Sequence, residues 1–187
     1  MAHRVCPVWI GYLLASPIRR LFEKPEKILG PYVDNGMTVL DIGCAMGFFS
    51  LPMAELVGNG GRVVCVDLQE RMLEGLKKRA AKAGLSGRIE SHQCSEDGLG
   101  LEEWSGRFDF ALMIAVMHEI PDQLRLLSEV KGLLKPGGRA LIAEPKGHVT
   151  EEDFEETLDV VEKAGFTVID RPAVSKRHYL TALVEKG

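Results

Sequence analysis

The sequence predicts an α/β fold: a seven-stranded, mostly parallel sheet covered by helices on both faces, with an antiparallel strand at its C-terminal end. Three observations point to it. Short Val- and Ile-rich runs alternate with segments of helical period. No internal repeat, low-complexity tract or Ser/Gly linker divides the 187 residues. Two last strand-like runs follow one another across a short gap, as a hairpin does.

Taken in order, residues 1–24 read as an N-terminal helical cap and residues 25–187 as the main domain. Trp9, Ile10, Tyr12, Leu13, Leu14, Ile18, Leu21 and Phe22 form an apolar helical face interrupted by Pro17. Such a face suits a packed helix, a lid over an apolar small molecule, or, with Arg19 and Arg20, weak contact with a membrane surface. The apolar run Val5 to Ala15 is too short to span a bilayer, which needs about 20 residues. Its basic flank is thin and no A-x-A site follows, so no cleaved signal is expected.

Strand-like runs follow at Thr38 to Ile42, Arg62 to Val66, Arg88 to His92, Phe108 to Val116 and Arg139 to Ala143. Between them, Phe48 to Leu56 and Gln69 to Ala83 read as helices, the second with Met72, Leu73, Leu76 and Ala80 on one face. Asp122 to Leu134 repeats Leu124, Leu127, Val130 and Leu134 and stops at "KPGG", read as a turn. After Thr150 a helix places Phe154, Leu158 and Val161 together, with Thr150 and Asp153 spaced as a capping box and acids in its first turn. "FTVIDRP" and "HYLTALVEK" complete the seven strands.

A formal net charge of -4 supplies no global basic field, which disfavours nucleic acid, so no nucleic-acid partner is expected. Lys77, Lys78, Arg79 and Lys82 read as a solvated helix face. Cys6, Cys44, Cys65 and Cys94 form no C-x-x-C pair, which argues against a disulfide framework or zinc ribbon and suits a reducing cytoplasm. His3 and Cys6 make half of a soft-metal or metalloid site at most, and no metal is assigned.

The chemistry-bearing stretch is "TVLDIGCAMGFFS", residues 38–50, a strand running through a Gly-rich turn into an apolar run. Such a turn brings peptide N–H groups close to a ligand. A nicotinamide-binding turn wants G-x-G-x-x-G, but the letters here are Gly43, Ala45 and Phe48. No G-K-[ST] triplet marks a P-loop. Asp67, at the end of the second strand, suits two ribose hydroxyls. Asp41, beside the turn, suits a cation and would repel a diphosphate. A ribose together with a cation describes S-adenosylmethionine.

"VLDIGCAMGFFS", "VVCVDLQERML", "FDFALMIAVMHEIPD" and "LLKPGGRALIAEPKG" together resemble the class I S-adenosylmethionine-dependent methyltransferases, a group that includes the quinone-biosynthesis methyltransferases. The likeness runs from about Pro25 to the C-terminus. It implies a Rossmann-like doubly wound sheet, with Asp41, Gly43, Ala45 and Gly47 against the methionine part of the cofactor. It also implies that Asp67 holds the ribose hydroxyls and Leu68 packs on the adenine. In "CSEDGL", Cys94 stands where the family usually has an acid, so the contact near the adenine amino group passes to Ser95 or Glu96. Ala45 departs from the more usual Gly.

Candidates for the chemistry lie where the strands end. His118 and Glu119 follow the fourth strand, and Glu144, Lys146 and His148 follow the fifth. His118, Glu119 and His148 are the catalytic candidates, a histidine being a competent base near neutral pH. Either histidine could instead be an ordinary loop residue that bonds backbone. The expected activity is in-line methyl transfer to a small-molecule acceptor, since little chain lies outside the core, and a second copy could complete the acceptor's walls. The alternatives are a non-catalytic cofactor-binding or scaffold protein and, less favoured, a nicotinamide-dependent oxidoreductase.

Overall fold

The computed structural model describes Arg19, residues 23–174 and residues 179–187. The cap expected over residues 1–24, with its apolar positions from Trp9 to Phe22, lies outside them apart from Arg19, Glu23 and Lys24, as do His3 and Cys6. Two compact units divide the chain, one ending at Glu96 and the other running from Asp97 to Gly187.

The first unit holds helix α1 (Pro25–Leu29), strand β1 (Thr38–Ile42), helix α2 (Ser50–Leu56), strand β2 (Arg62–Asp67), helix α3 (Glu70–Ala83) and strand β3 (Ile89–Gln93). β2 pairs in parallel with both β1 and β3. Val39, Leu40 and the whole run Val63 to Val66 are buried, the continuous apolar pattern of strands covered on two faces. α3 begins after Gln69 and ends at Gly84, whose left-handed backbone closes the helix.

The second unit holds β4 (Phe108–Ile114), α4 (Gln123–Leu133), β5 (Leu134–Pro145), α5 (Glu151–Lys163), β6 (Phe166–Asp170) and β7 (Tyr179–Lys186). β4 and β5 are parallel, and β7 runs antiparallel to both β5 and β6. The seven strands form one sheet in the order β3-β2-β1-β4-β5-β7-β6, as expected of a doubly wound fold with an antiparallel C-terminal strand. No helix among the described residues is long and apolar enough to cross a membrane.

Three local expectations need correction. "KPGG" does not turn between helix and strand: β5 already starts at Leu134. Phe108 pairs with Leu134 and Phe110 with Arg139, so residues 135–138 stand out of the ladder as a bulge. Pro136 and Gly137, at φ 69°, are tolerated there because a bulge needs neither a ladder N–H nor ordinary strand dihedrals. β4 stops at Ile114 rather than Val116, because Ala115 takes a left-handed φ of 58°. Leu124 is not a core position of α4: it is 45% exposed, and Leu126, Leu127, Val130 and Leu133 form the buried face.

The capping box of α5 is present in full, with Asp153 N–H donating to Thr150 Oγ1 and Thr150 N–H donating to the Asp153 carboxylate. Thr150→Ala is therefore expected to lower stability by about 1 kcal/mol. Urea unfolding monitored by circular dichroism checks it, as a shifted midpoint at unchanged slope.

Candidate functional site

In the first unit the Gly-rich turn joins the end of β1 to α2, and its shape follows from three side chains. Asp67, closing β2, accepts Ala45 N–H on one carboxylate oxygen and Gln69 N–H on the other, each at 2.9 Å. Leu76, on α3, packs so tightly under Gly47 that a Cβ there would lie 2.3 Å from its Cδ1. The φ of 79° favours glycine at position 47, and a Cβ there would also force the Leu76 side chain to shift. Arg79 reaches back from α3 to donate to the Met46 carbonyl. The expectation that Arg79 belongs to a solvated face is thus corrected, whereas Lys77, Lys78 and Lys82 are exposed.

Gly43 is left exposed at the mouth of this turn with a left-handed φ of 68°. Ala45 holds φ 44° despite its Cβ, a conformation that costs on the order of 1 kcal/mol and is maintained by the bond to Asp67. Phe48 and Phe49 follow, and the Arg19 guanidinium stacks 4.1 Å from the Phe48 ring centre while its Nε donates to Glu23. Leu68 is half-buried, and its carbonyl accepts from Gln93 Nε2. Ser95 and Glu96 are exposed just beyond β3.

Two carboxyls here are electrostatically unusual. Asp41 is buried in β1, accepts the Ser50 hydroxyl at 2.5 Å, and has its pKa pushed up to about 7. Burial is the main cause, Ser50 opposes it, and the nearby Asp67 adds to it. Burial also raises Asp67, partly offset by its two backbone N–H bonds. Burial and the adjacent Cys65 push the Cys44 thiol well up, which makes it inert as a nucleophile.

The second unit holds a different constellation. Glu144, 1% exposed near the end of β5, accepts Val116 N–H at 3.0 Å and Met117 N–H at 2.8 Å on one oxygen. Its other oxygen binds His118 Nδ1. The left-handed step at Ala115 turns the chain out of β4 into the short 3-10 turn Met117–Glu119, which carries His118 and which Gln123 secures through the Met117 carbonyl. Glu144 raises the His118 pKa chiefly through its hydrogen bond, against a lowering by burial, and Glu119 adds a smaller charge effect.

His118 and Glu144 lie on the wall of a cavity of about 560 Å³. His148 joins them, its ring centre 5.7 Å from that of His118, although its own side chain is exposed. Ile120, Pro121, Leu124, Val149 and Val160 supply an apolar wall, and Asp122, Asp153 and Glu156 supply acids. Glu119 is half-buried and does not line the cavity. Among the described residues no group of three His, Cys, Asp or Glu side chains is placed to hold a metal ion.

Sequence reasoning named Glu144 only in passing and missed Ser50 and Arg79 as parts of these sites. For Glu144 the signal was present: a lone acid directly after the buried run Ala140 to Ala143 needs a partner. For Arg79 no signal existed, since helical spacing does not say which long side chain folds back.

A family model described as a methyltransferase domain matches residues 33–187. A demethylmenaquinone methyltransferase of Lactococcus lactis is 34% identical over 110 residues, 59% of this chain and 42% of the relative. A ubiquinone biosynthesis O-methyltransferase of Caulobacter vibrioides is 31% identical over 141 residues, 75% of this chain and 52% of the relative. The chain thus spans about half the length of these curated relatives. Among solved structures, a SAM-dependent methyltransferase from Aquifex aeolicus superposes with a TM-score of 0.86 at 27% identity, covering 98% of this chain and 100% of that one.

The raised pKa of Asp41 has a consequence for stability. The folded chain keeps this proton up to about pH 7, whereas an unfolded aspartate loses it near pH 4, so stability falls as pH rises between those values. Asp41→Asn removes the dependence while keeping an acceptor for Ser50. The variant is expected to exceed the parent by roughly 1 to 4 kcal/mol at pH 8 and by much less at pH 5. Denaturant unfolding at the two pH values measures this.

Proposed function

The chain belongs to the methyltransferase-domain family, and from that premise we propose that it transfers the methyl group of S-adenosylmethionine to a small-molecule acceptor, with His118 removing the acceptor's proton. The observation that carries the reading is the pairing of His118 with buried Glu144 on the wall of a cavity. The Glu144 carboxylate orients the His118 ring and raises its basicity, which is what a general base on a cavity wall requires.

The residues of the first unit fit the cofactor. Gly43 offers exposed backbone, and the Asp67 carboxylate, with one N–H bond on each oxygen, retains lone pairs for ribose hydroxyls. Asp41, protonated up to about pH 7 when alone, gains by ionising beside a cation. Asp41, Gly43, Ala45 and Gly47 would face the methionine part, Leu68 the adenine, and Ser95 or Glu96 its amino group. When bound, S-adenosylmethionine supplies a methyl group already activated by its sulfonium.

In the second unit Glu144 holds the proton on His118 Nδ1, which leaves Nε2 as the ring's acceptor. Nε2 takes the proton from an O–H or N–H donor in the cavity as that atom becomes nucleophilic. The raised pKa makes His118 a stronger base and also means that a larger share is already protonated at neutral pH. An oxygen acceptor, the kind named for the Caulobacter relative, is the one for which this base contributes most.

Calorimetric titration with S-adenosylmethionine, S-adenosylhomocysteine and NAD tests the cofactor, with micromolar binding expected for the first two and none for NAD. Asp67→Ala is expected to weaken cofactor binding by about 1 to 3 kcal/mol. His118→Ala should leave that affinity intact and abolish turnover. The kcat profile should rise with pH through a value above the ordinary 6.5 of histidine, and Glu144→Gln should move that rise toward acid pH while lowering the plateau. A profile flat from pH 6 to 9 would remove His118 from the chemistry.

A further inference from the structure

We propose that the His118 cavity selects acceptors that carry an ammonium group on a small, largely apolar body, and disfavours their carboxylate counterparts. The inference rests on the preceding assignment of this cavity to the acceptor. It concerns the charge the acceptor brings, which neither the family nor the named relatives specify.

Away from His118 the charged lining of the cavity is acidic. Asp122, Asp153 and Glu156 stand on its wall, and among the described residues no lysine or arginine does. The nearby Lys146 is outside the lining and sits 3.6 Å from Glu151. Apart from the protonated share of His118, an anionic acceptor thus meets like charge on this wall and a cationic one opposite charge, once water is partly displaced.

The two helix N-termini at the cavity strengthen this. Ordinarily the first turns of α4 and α5 would attract an anion through their unpaired N–H groups. Here one N–H at each helix start is already bonded to a carboxylate of the chain itself. Asp122 accepts Arg125 N–H at 3.0 Å, and Asp153 is bonded to the backbone and hydroxyl of Thr150. The Thr150 bonds hold Asp153 below the usual carboxylate range, which keeps it ionised. What faces a ligand is the remaining lone pairs of these acids.

Glu156 lies one turn beyond Asp153 on the same helix and has no hydrogen-bond or ion-pair partner among the described residues. It is the acid most available to a ligand. Opposite charge alone would suit any cation, but Leu124, 45% exposed, with Ile120 and Val149, gives an organic body somewhere to bury. The cavity therefore matches an amphipathic amine better than an inorganic ion or a sugar.

The test uses the full chain and matched probes: tyramine against 4-hydroxyphenylacetate, and hexylamine against hexanoate. Binding is measured by calorimetry and by ligand-observed NMR, in protein whose S-adenosylhomocysteine affinity is determined in the same preparation. Each amine is expected to bind at least tenfold more tightly than its acid, and Glu156→Lys should abolish or reverse the ratio without changing the melting temperature. Equal affinities within each pair, absence of binding by any probe at millimolar concentration, or a ratio unmoved by Glu156→Lys would each overturn the proposal. Loss of S-adenosylhomocysteine binding would instead defeat the methyltransferase assignment, so the two failures read out separately.

Discussion

A carboxylate buried near the carboxyl end of a strand must be satisfied, and that constraint shapes both candidate sites. Taking such a group from water is expensive unless N–H or O–H donors surround it. Glu144 meets the requirement with the N–H groups of Val116 and Met117 together with His118, and half-buried Asp67 with those of Ala45 and Gln69, whereas Asp41, given the Ser50 hydroxyl, keeps its proton up to about pH 7. In each case the donor belongs to the chain leaving a strand. The acids therefore hold the loops in place, and the loops in turn present what chemistry the site has.

The same constraint explains how strain is tolerated. Ala45 and Ala115 both hold left-handed backbone that a Cβ disfavours. Ala45 donates directly to Asp67, and Ala115 immediately precedes the two residues that donate to Glu144. Each bond to a charged acceptor contributes more than an ordinary one, on the order of 1.5 to 3 kcal/mol, enough to offset a strained residue beside it. Glycine at either position would relieve the strain and loosen the turn.

The alternation of strands and helices was legible because period 2 and period 3.6 leave marks over many residues, and the Gly-rich turn because glycine and acid sit at fixed offsets. The capping box at Thr150 was legible for the same local reason. What escaped was set by distant partners. "KPGG" has turn composition, yet the register of β5 against β4 makes it a bulge. Arg79 looks like its lysine neighbours, but the carbonyl it binds belongs to Met46, far away in sequence. Leu124 fits a helical stripe, although the stripe's edge faces a cavity rather than the core.

His118 and His148 show why geometry has to decide between residues that composition treats alike. Both follow strands, both line the cavity, and their rings stand 5.7 Å apart. Glu144 distinguishes them, since it bonds only one of the two rings and does so from a buried position. That bond sets the tautomer, raises the basicity and fixes the ring against rotation, the three properties a proton acceptor needs at once. His148, exposed and without that carboxylate, lines the cavity beside it. A single acid after a buried strand thereby converts one of two equivalent-looking histidines into the candidate base.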